Sequence, residues 1–467
     1  MMHSNNQKNK TKINFFFQLL PLFIVFLLFM FFRFANIGNR ISFGWDQEQY
    51  STQVRQLIVD HKPVLLGPRT TNDRGFFLAP YFTYLITPFF LLTGLHPYAI
   101  GIFLIFFNIL FFVGSIYILS NLFSKKTALL FLLLWSINPI ITRYDSVAWW
   151  PIFIPFGALV IFFLLKKISD ANNLSHWIIL GITSGILMNM HIQFAFIFLF
   201  VFLFIFFSRS PSFKKPRNII LFLVAFLFMF LPLFVFDIRH DFINSKLIIN
   251  FLSKGIGDRE PNFFAWLPVF ENVIQPLVIV KNIYVTVLFY IGIVITQYHL
   301  YKNKKGFLKD FYFISLLVWI IFPFIFGKYG QRPSEYYFMF LYPFIYLTIV
   351  DFFLLYKKVI LLIAISFILL GVNLQSLFFN MKTDPYSLKY KDMLIRKLSN
   401  EVKGKKFNLS YSTSLTTDYG FRYLVDYYKI PFTGDWNDPL VQIKIPADNK
   451  CKIKVNDMGV IIPSELL

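Results

Sequence analysis

Nearly uninterrupted apolar runs recur along this chain at lengths that match the hydrocarbon thickness of a bilayer. Residues 15–32, 102–119 and 192–207 are three of them. Eighteen residues of helix rise about 27 Å, close to the roughly 30 Å of a hydrocarbon core. A backbone crossing lipid finds no water to bond, so each run must close its own hydrogen-bond ladder as a helix. Composition agrees: 57% of residues are hydrophobic and 15% are charged, against about 25% charged in soluble domains.

The formal net charge of +21 would fit a nucleic-acid partner in a soluble protein, but its distribution points to the positive-inside bias of membrane loops, with no nucleic acid. Lys8, Lys10 and Lys12 precede the first run, which is too long for a signal-peptide core and lacks a small-residue cleavage site. It reads as a retained first transmembrane helix with a cytoplasmic N-terminus. The pattern predicts eleven crossings, at 14–34, 98–120, 127–142, 148–165, 176–190, 192–207, 218–236, 273–297, 311–327, 337–355 and 359–378. The apolar stretch 77–93 is short and holds Pro80 and Pro88, so it reads as a juxtamembrane or re-entrant piece. With this threading the cytoplasmic stretches hold 17 of the 45 Lys and Arg but three of the 24 Asp and Glu. The stretch 380–467 is mixed, with fourteen basic and ten acidic residues.

The expected architecture is therefore mainly α: a polytopic transmembrane domain over 1–379, its first outer loop at 35–76, and a small extracytoplasmic α/β domain over 380–467. In that tail, 416–428 reads as an amphipathic helix and 450–455 and 459–463 as short strands. Cys451 is the single cysteine, which excludes an intrachain disulfide. The chain carries no H-E-x-x-H, no cysteine pair and no P-loop, so neither a metal site nor a bound cofactor is expected.

Sorting the unusual polar residues by side yields one pattern. Asp46 and Glu48 lie in the first outer loop, Asp145 in the second, and His191 with Gln193 in the third. Asp237, Arg239, His240 and Asp241 lie in the fourth, and Gln331, Arg332 and Glu335 in the fifth. All fall on the face that carries the tail. Ionisable groups beside a bilayer are costly unless they pair or line a wet cavity, so the cluster marks a site. Sugar transfer from a polyprenyl phosphate needs a carboxylate to deprotonate the acceptor and cations to hold the departing phosphate. Asp46, Glu48 and Asp145 are candidates for the first, and Arg239, His240 and Arg332 for the second. Plainer readings stand beside these. Asp145 can pair with Arg143 at a helix end, Arg239 and His240 can be interfacial anchors, and His191 fits a structural place better than a catalytic one. Trp149 with Trp150 and Tyr336 with Tyr337 fit an aromatic belt, with a sugar platform as the second reading of the tryptophan pair.

The stretch WDQEQY at 45–50, following a first helix with a cytoplasmic N-terminus, resembles the acidic loop of the protein O-mannosyltransferase and aminoarabinose-transferase-like glycosyltransferases, family 39 and its relatives with the GT-C fold. LLGPRTTNDRGFFLAPYFTYLITPFFLLTG at 65–94 and INPIITRYDSVAWWP at 137–151 are similar to further family segments. So are HIQFAFIF at 191–198, LPLFVFDIRHDF at 231–242 and EYYFMFLYPFIYL at 335–347. The resemblance covers about residues 10–380. It implies an inverting transfer from a polyprenyl-phosphate-linked sugar to a lipid, glycan or protein acceptor outside the cytoplasm. The family's catalytic acid position falls on Asp46. Gln47 interrupts its usual acidic pair, so Glu48 inherits the second place, and Asp145 matches the second-loop position. Arg239 with His240 falls where the donor phosphate is held, and Tyr50, Arg69, Trp149, His191 and Tyr336 are expected to line the substrate site. Two rival readings make different predictions. A lipid-linked-saccharide flippase predicts inverted repeats and polar groups on both faces or at midplane, which the one-sided pattern disfavours. An O-antigen ligase or polymerase is disfavoured by the acidic loop directly after the first helix.

Overall fold

The computed structural model of the chain describes residues 20–70, 75–254, 262–328, 333–413, 418–433, 435 and 437–466. Among them, six helices are long and apolar enough to cross a membrane: α1 (Leu20–Asn39), α4 (Ala99–Leu122), α7 (Phe153–Asp170, preceded by a short 3-10 turn), α14 (Ile283–Asn303), α15 (Gly306–Lys328) and α17 (Val359–Asn380). A seventh span forms if α10 (Pro216–Phe228) and α11 (Leu231–Arg239), bent by 53°, are taken together. Three more apolar helices, α8 (Leu174–Met190), α9 (Phe194–Phe207) and α16 (Leu341–Leu355), have 14 to 17 residues and reach about 21–26 Å. Length therefore accounts for six or seven of the eleven expected crossings.

Local chemistry explains the breaks. The expected 127–142 helix is two pieces, α5 (Lys125–Ser136) and α6 (Pro139–Tyr144). Asn138 caps α6 by accepting from the Ile140 and Ile141 N–H groups, and Pro139 takes the first helical position, where no N–H is needed. The expected single helix 273–297 is also interrupted. The helix α13 (Leu267–Val278) ends after Pro276 at Ile279, whose φ is +67°, and Asn282 then caps α14 through the Tyr284 N–H at 2.8 Å. The polar loop 35–76 contains a helix that hydropathy alone did not reveal, α2 (Trp45–Ile58). The stretch 77–93 holds α3 (Tyr81–Leu92), whose 12 residues rise only about 18 Å. Near the end of α11, Asp237 accepts from the Asn244 and Ser245 N–H groups and the Ser245 hydroxyl, starting α12 (Ile243–Lys254).

The tail begins with α18 (Leu388–Val402), whose buried Leu388, Ile395, Leu398 and Val402 keep helical spacing. A four-stranded sheet follows with order β1-β2-β4-β3, from β1 (Asn408–Ser412), β2 (Leu440–Lys444), β3 (Ile453–Val455) and β4 (Met458–Ile461). The pair β1–β2 is parallel, and the other two pairs are antiparallel. The expected helix 416–428 is reduced to α19 (Arg422–Tyr427), residues 414–417 lying outside the described ones. Two strands fall at the expected places, β3 and β4, whereas α18, β1 and β2 were not foreseen.

Buried residues divide into two clusters. The larger fills the space among the spanning helices, from Phe29 to Leu369. The second joins Phe43, Tyr50 and Val54 around α2 and Phe82 and Phe103 of α3 and α4 to Leu394, Leu424, Val441 and Val460 of the tail. One apolar core thus binds the segment between α1 and α4 to the C-terminal segment, so both lie at the same end of the helix bundle.

Candidate active site

A cavity of about 350 Å³ opens at that end, lined by Trp45 and Asp46 from α2, Arg69 and Thr70 from the following loop, Trp149 and Trp150 from the segment between α6 and α7, His191 and Ile192 from the α8–α9 turn, and Tyr336 and Tyr337. Five sequence segments, far apart in the chain, therefore converge.

Asp46 stands in the first turn of α2, where the helix dipole favours a carboxylate. The helix is fixed by its neighbours. Gln47 closes the first turn by accepting the Gly44 N–H, and its amide N–H donates to the Ala148 carbonyl at 3.0 Å. Tyr50 donates its hydroxyl to the same carbonyl, also at 3.0 Å. Tyr50 is thus a buried strut behind the cavity, not part of its lining. Asp46 makes no hydrogen bond or ion pair among the described residues, and burial pushes its carboxyl up from 3.8 to about 6.

Arg69 and Thr70 ride on a narrow double-backed loop. The Gly67 N–H donates to Leu78 O at 2.6 Å, the Leu78 N–H to Pro68 O at 3.0 Å and the Thr70 N–H to Phe76 O at 2.9 Å. A Cβ on Gly67 would lie 2.5 Å from Ala79 O, so only glycine permits this approach. Two buried amides pin the returning strand: Asn244 exchanges bonds with the Phe77 backbone, and Asn189 accepts the Ala79 N–H at 3.0 Å.

Aromatic rings form the rest of the wall. Trp149 stacks on Tyr144 at 5.7 Å between centroids and meets Tyr336 edge-on at 4.7 Å, while Tyr336 stacks on Tyr337 at 4.6 Å. His191 stands within 6 Å of both tyrosine rings. Burial lowers its pKa to about 3, so it is neutral. Its Nδ1 accepts the Gln193 N–H, which leaves Nε2 carrying the proton.

Other expected residues lie elsewhere. Glu48 does not line the cavity: its oxygens accept the Gly420 and Tyr423 N–H groups, both at 2.9 Å. Asp145 is bound by Arg33 of α1, whose Nε and Nη2 donate to Oδ2 at 2.9 and 2.7 Å, and by the Trp135 indole at 3.1 Å. The expected partner of Asp145, Arg143, instead faces Glu335 and the Tyr144 hydroxyl. Arg33 is fully buried over the face of Phe29, and an arginine inside an apolar run was the one signal of this pair. Arg239 and His240 are exposed at the end of α11, away from the cavity, and His240 stacks on Phe236 and bonds its carbonyl. They have no place in the cavity wall, where Arg69 stands. Arg332 lies outside the described residues. Among the described residues, no three His, Cys, Asp or Glu side chains come together as a metal site. Trp45, Thr70 and Ile192 also line the cavity and were not singled out in the sequence, although Trp45 and Ile192 adjoin residues that were.

Beside the cavity runs an apolar groove of about 330 Å³ lined by Gln193, Phe196 and Leu199 of α9, Phe251 of α12, and Ile325 and Phe326 of α15. Thr70, Ile192 and Tyr337 belong to both walls. The two spaces are therefore neighbours, one polar and one fit for hydrocarbon.

No protein-family profile and no curated protein sequence matches the chain. Solved structures do. ArnT from Cupriavidus metallidurans in the apo state is 10% identical, with a TM-score of 0.62 over 97% of this chain and 99% of that one. ArnT from the same organism bound to undecaprenyl phosphate is 12% identical, with a TM-score of 0.63 over 96% and 98%. The oligosaccharyltransferase of Archaeoglobus fulgidus, in complex with zinc and sulfate, is 12% identical, with a TM-score of 0.54 over 88% of this chain and 62% of that one. What is shared at such identities is the architecture: this chain has a GT-C-like membrane fold.

Proposed function

We propose that the chain is a membrane glycosyltransferase that moves a sugar from a polyprenyl-phosphate carrier to an acceptor outside the cytoplasm, with inversion. The observation that carries this reading is the pairing of two spaces around Asp46. A polar cavity holds a half-buried carboxylate that has no partner among the described residues, and a hydrocarbon-lined groove shares its wall. A lipid-linked sugar has this same division between polar head and apolar tail. That ArnT, which shares the fold, has been solved with undecaprenyl phosphate supports the same ligand class here.

In this mechanism the Asp46 carboxylate accepts the proton of the attacking acceptor group. The acceptor atom bonds to the anomeric carbon from the face opposite the carrier, and the bond from that carbon to the phosphate oxygen breaks. Negative charge grows on the departing phosphate, where the Arg69 guanidinium and the Nε2–H of His191 supply donors. The raised pKa suits the base: at pH 7 it is mostly ionised and more basic than an ordinary carboxylate. The aromatic wall of Trp149, Tyr336 and Tyr337 presents ring faces to the apolar side of a sugar. The assay is consumption of undecaprenyl-phosphate-linked hexoses and pentoses by full-length protein in proteoliposomes, with a membrane extract supplying acceptors. Asp46→Asn is expected to abolish it, and an Asp46→Asn protein of wild-type rate overturns the reading.

A further inference from the structure

We propose that the C-terminal segment is a latch that sets the position of Asp46, with Glu48, Lys391 and Gly420 as its positioning residues. The inference rests on the reading of Asp46 as the base. It assigns to the tail a part in the reaction that does not require the tail to touch substrate.

The contacts run through the first turn of α2. Glu48, two residues beyond Asp46, receives the N–H groups of Gly420 and Tyr423 on its two separate oxygens. Both donors belong to the stretch that leads into and begins α19. On the other side of Asp46, Phe43 presents its carbonyl to the Lys391 ammonium at 2.9 Å, and the same ammonium takes the Tyr419 carbonyl at 2.5 Å. Lys391 is 3% exposed, a burial that lowers its pKa to about 8. Between these clamps Gly420 lies directly against Phe43: a Cβ there would fall 2.2 Å from the Phe43 carbonyl oxygen, and its φ is +89°. Trp45, which lines the cavity, meets Tyr419 edge-on at 6.4 Å. Residues 43, 45 and 48 are thus each held by the tail, while Asp46 lines the cavity with no hydrogen bond among the described residues. Such a side chain takes its position from its backbone, and that backbone is fixed from a segment 348 to 375 residues away.

The titratable groups facing the latch are Lys391 and Tyr411 beside Glu48, Asp384 and Asp418 beside Lys391, and Arg422 and Asp426 beside Tyr411, with Tyr50 beside Asp46 and Arg69 and His191 across the cavity. Two variants test it in the donor-consumption assay. Glu48→Gln places an NH₂ against one of the two N–H donors, and Gly420→Ala forces the turn off Phe43. Each is expected to lower kcat about 10- to 100-fold, as small misplacements of a catalytic group do. Each should also move the acid limb of the pH–rate profile from about 6 toward 4 as Asp46 gains water, a change that loss of folded protein does not cause. The KM for the undecaprenyl-phosphate sugar should stay within about threefold, and the double variant should be no worse than the more damaging single one, because both break one device. A wild-type kcat and an acid limb unmoved in Glu48→Gln overturn the latch, as do losses that multiply in the double variant. If Gly420→Ala fails to fold, Glu48→Gln decides alone. Activity in Asp46→Asn defeats the base assignment instead, so the two failures are distinct.

Discussion

Asp46→Asn should make the protein more stable while making it inactive, and only above a definable pH. The Asp46 carboxyl is displaced from its ordinary 3.8 to about 6 with burial as the cause. At about 1.4 kcal/mol for each tenfold change in proton affinity, ionising it in the folded state costs about 3 kcal/mol. The sign follows from proton binding. Between pH 3.8 and 6 the folded chain holds a proton that the unfolded chain has released, so stability falls as pH rises through this window and stays low above it. Asparagine has nearly the same shape and no charge. At pH 8 the variant should be more stable than the wild type by up to about 3 kcal/mol, and below pH 4 the difference should vanish. Denaturant titration in mixed micelles at both pH values reads this, alongside a loss of roughly 10²- to 10⁴-fold in donor consumption. Equal stability at pH 8, or a gain that persists unchanged at pH 4, would refute the burial argument even if activity were lost.

Removing one partner of the Arg33–Asp145 pair, by Arg33→Met or Asp145→Asn, should destabilise the fold by about 3–5 kcal/mol in either case, since each change leaves the other charge buried without its partner. Combining Arg33→Met with Asp145→Leu should recover part of that loss in the same titration. Arg69→Gln should raise KM for an undecaprenyl-phosphate sugar or lower kcat by about tenfold or more, whereas Arg239→Gln, away from the cavity, should change either by less than about threefold. Alkaline phosphatase fused after Leu467 should be active and β-galactosidase at the same point inactive, because the tail shares a core with the first outer loop; the reverse result would invert the threading.

Much of the membrane architecture was legible because phenylalanine-rich runs leave few alternatives to a lipid-facing helix. The breaks were harder. Nothing in mean hydropathy separates Ile279 from its neighbours, yet Pro276 and the cap at Asn282 divide the stretch. The tail's α18 carried its own apolar spacing but was obscured by its lysines. Strands β1 and β2 escaped because a parallel pair joined across 27 residues has no local turn to announce it. Within the site, Asp46 was visible from its place straight after the first helix, and the aromatic wall from WW and YY pairs. The role of Glu48 was not, because its partners at Gly420 and Tyr423 lie in a segment whose fold depends on that contact. Arg239 and His240 do not line the cavity, because sidedness puts residues on one face of the membrane without saying which of them meet; both are exposed at the end of α11.

The shared wall at Thr70, Ile192 and Tyr337 bears on how such a protein meets its reactant. Ile325 in the groove is 44% exposed, so that flank is open sideways to the leaflet. A carrier arriving there diffuses in two dimensions and leaves no part of its tail in water. Its supply is then set by how many carriers are dissolved per hundred lipids in that leaflet, and diluting vesicles with buffer changes nothing while diluting them with inert phospholipid lowers the rate.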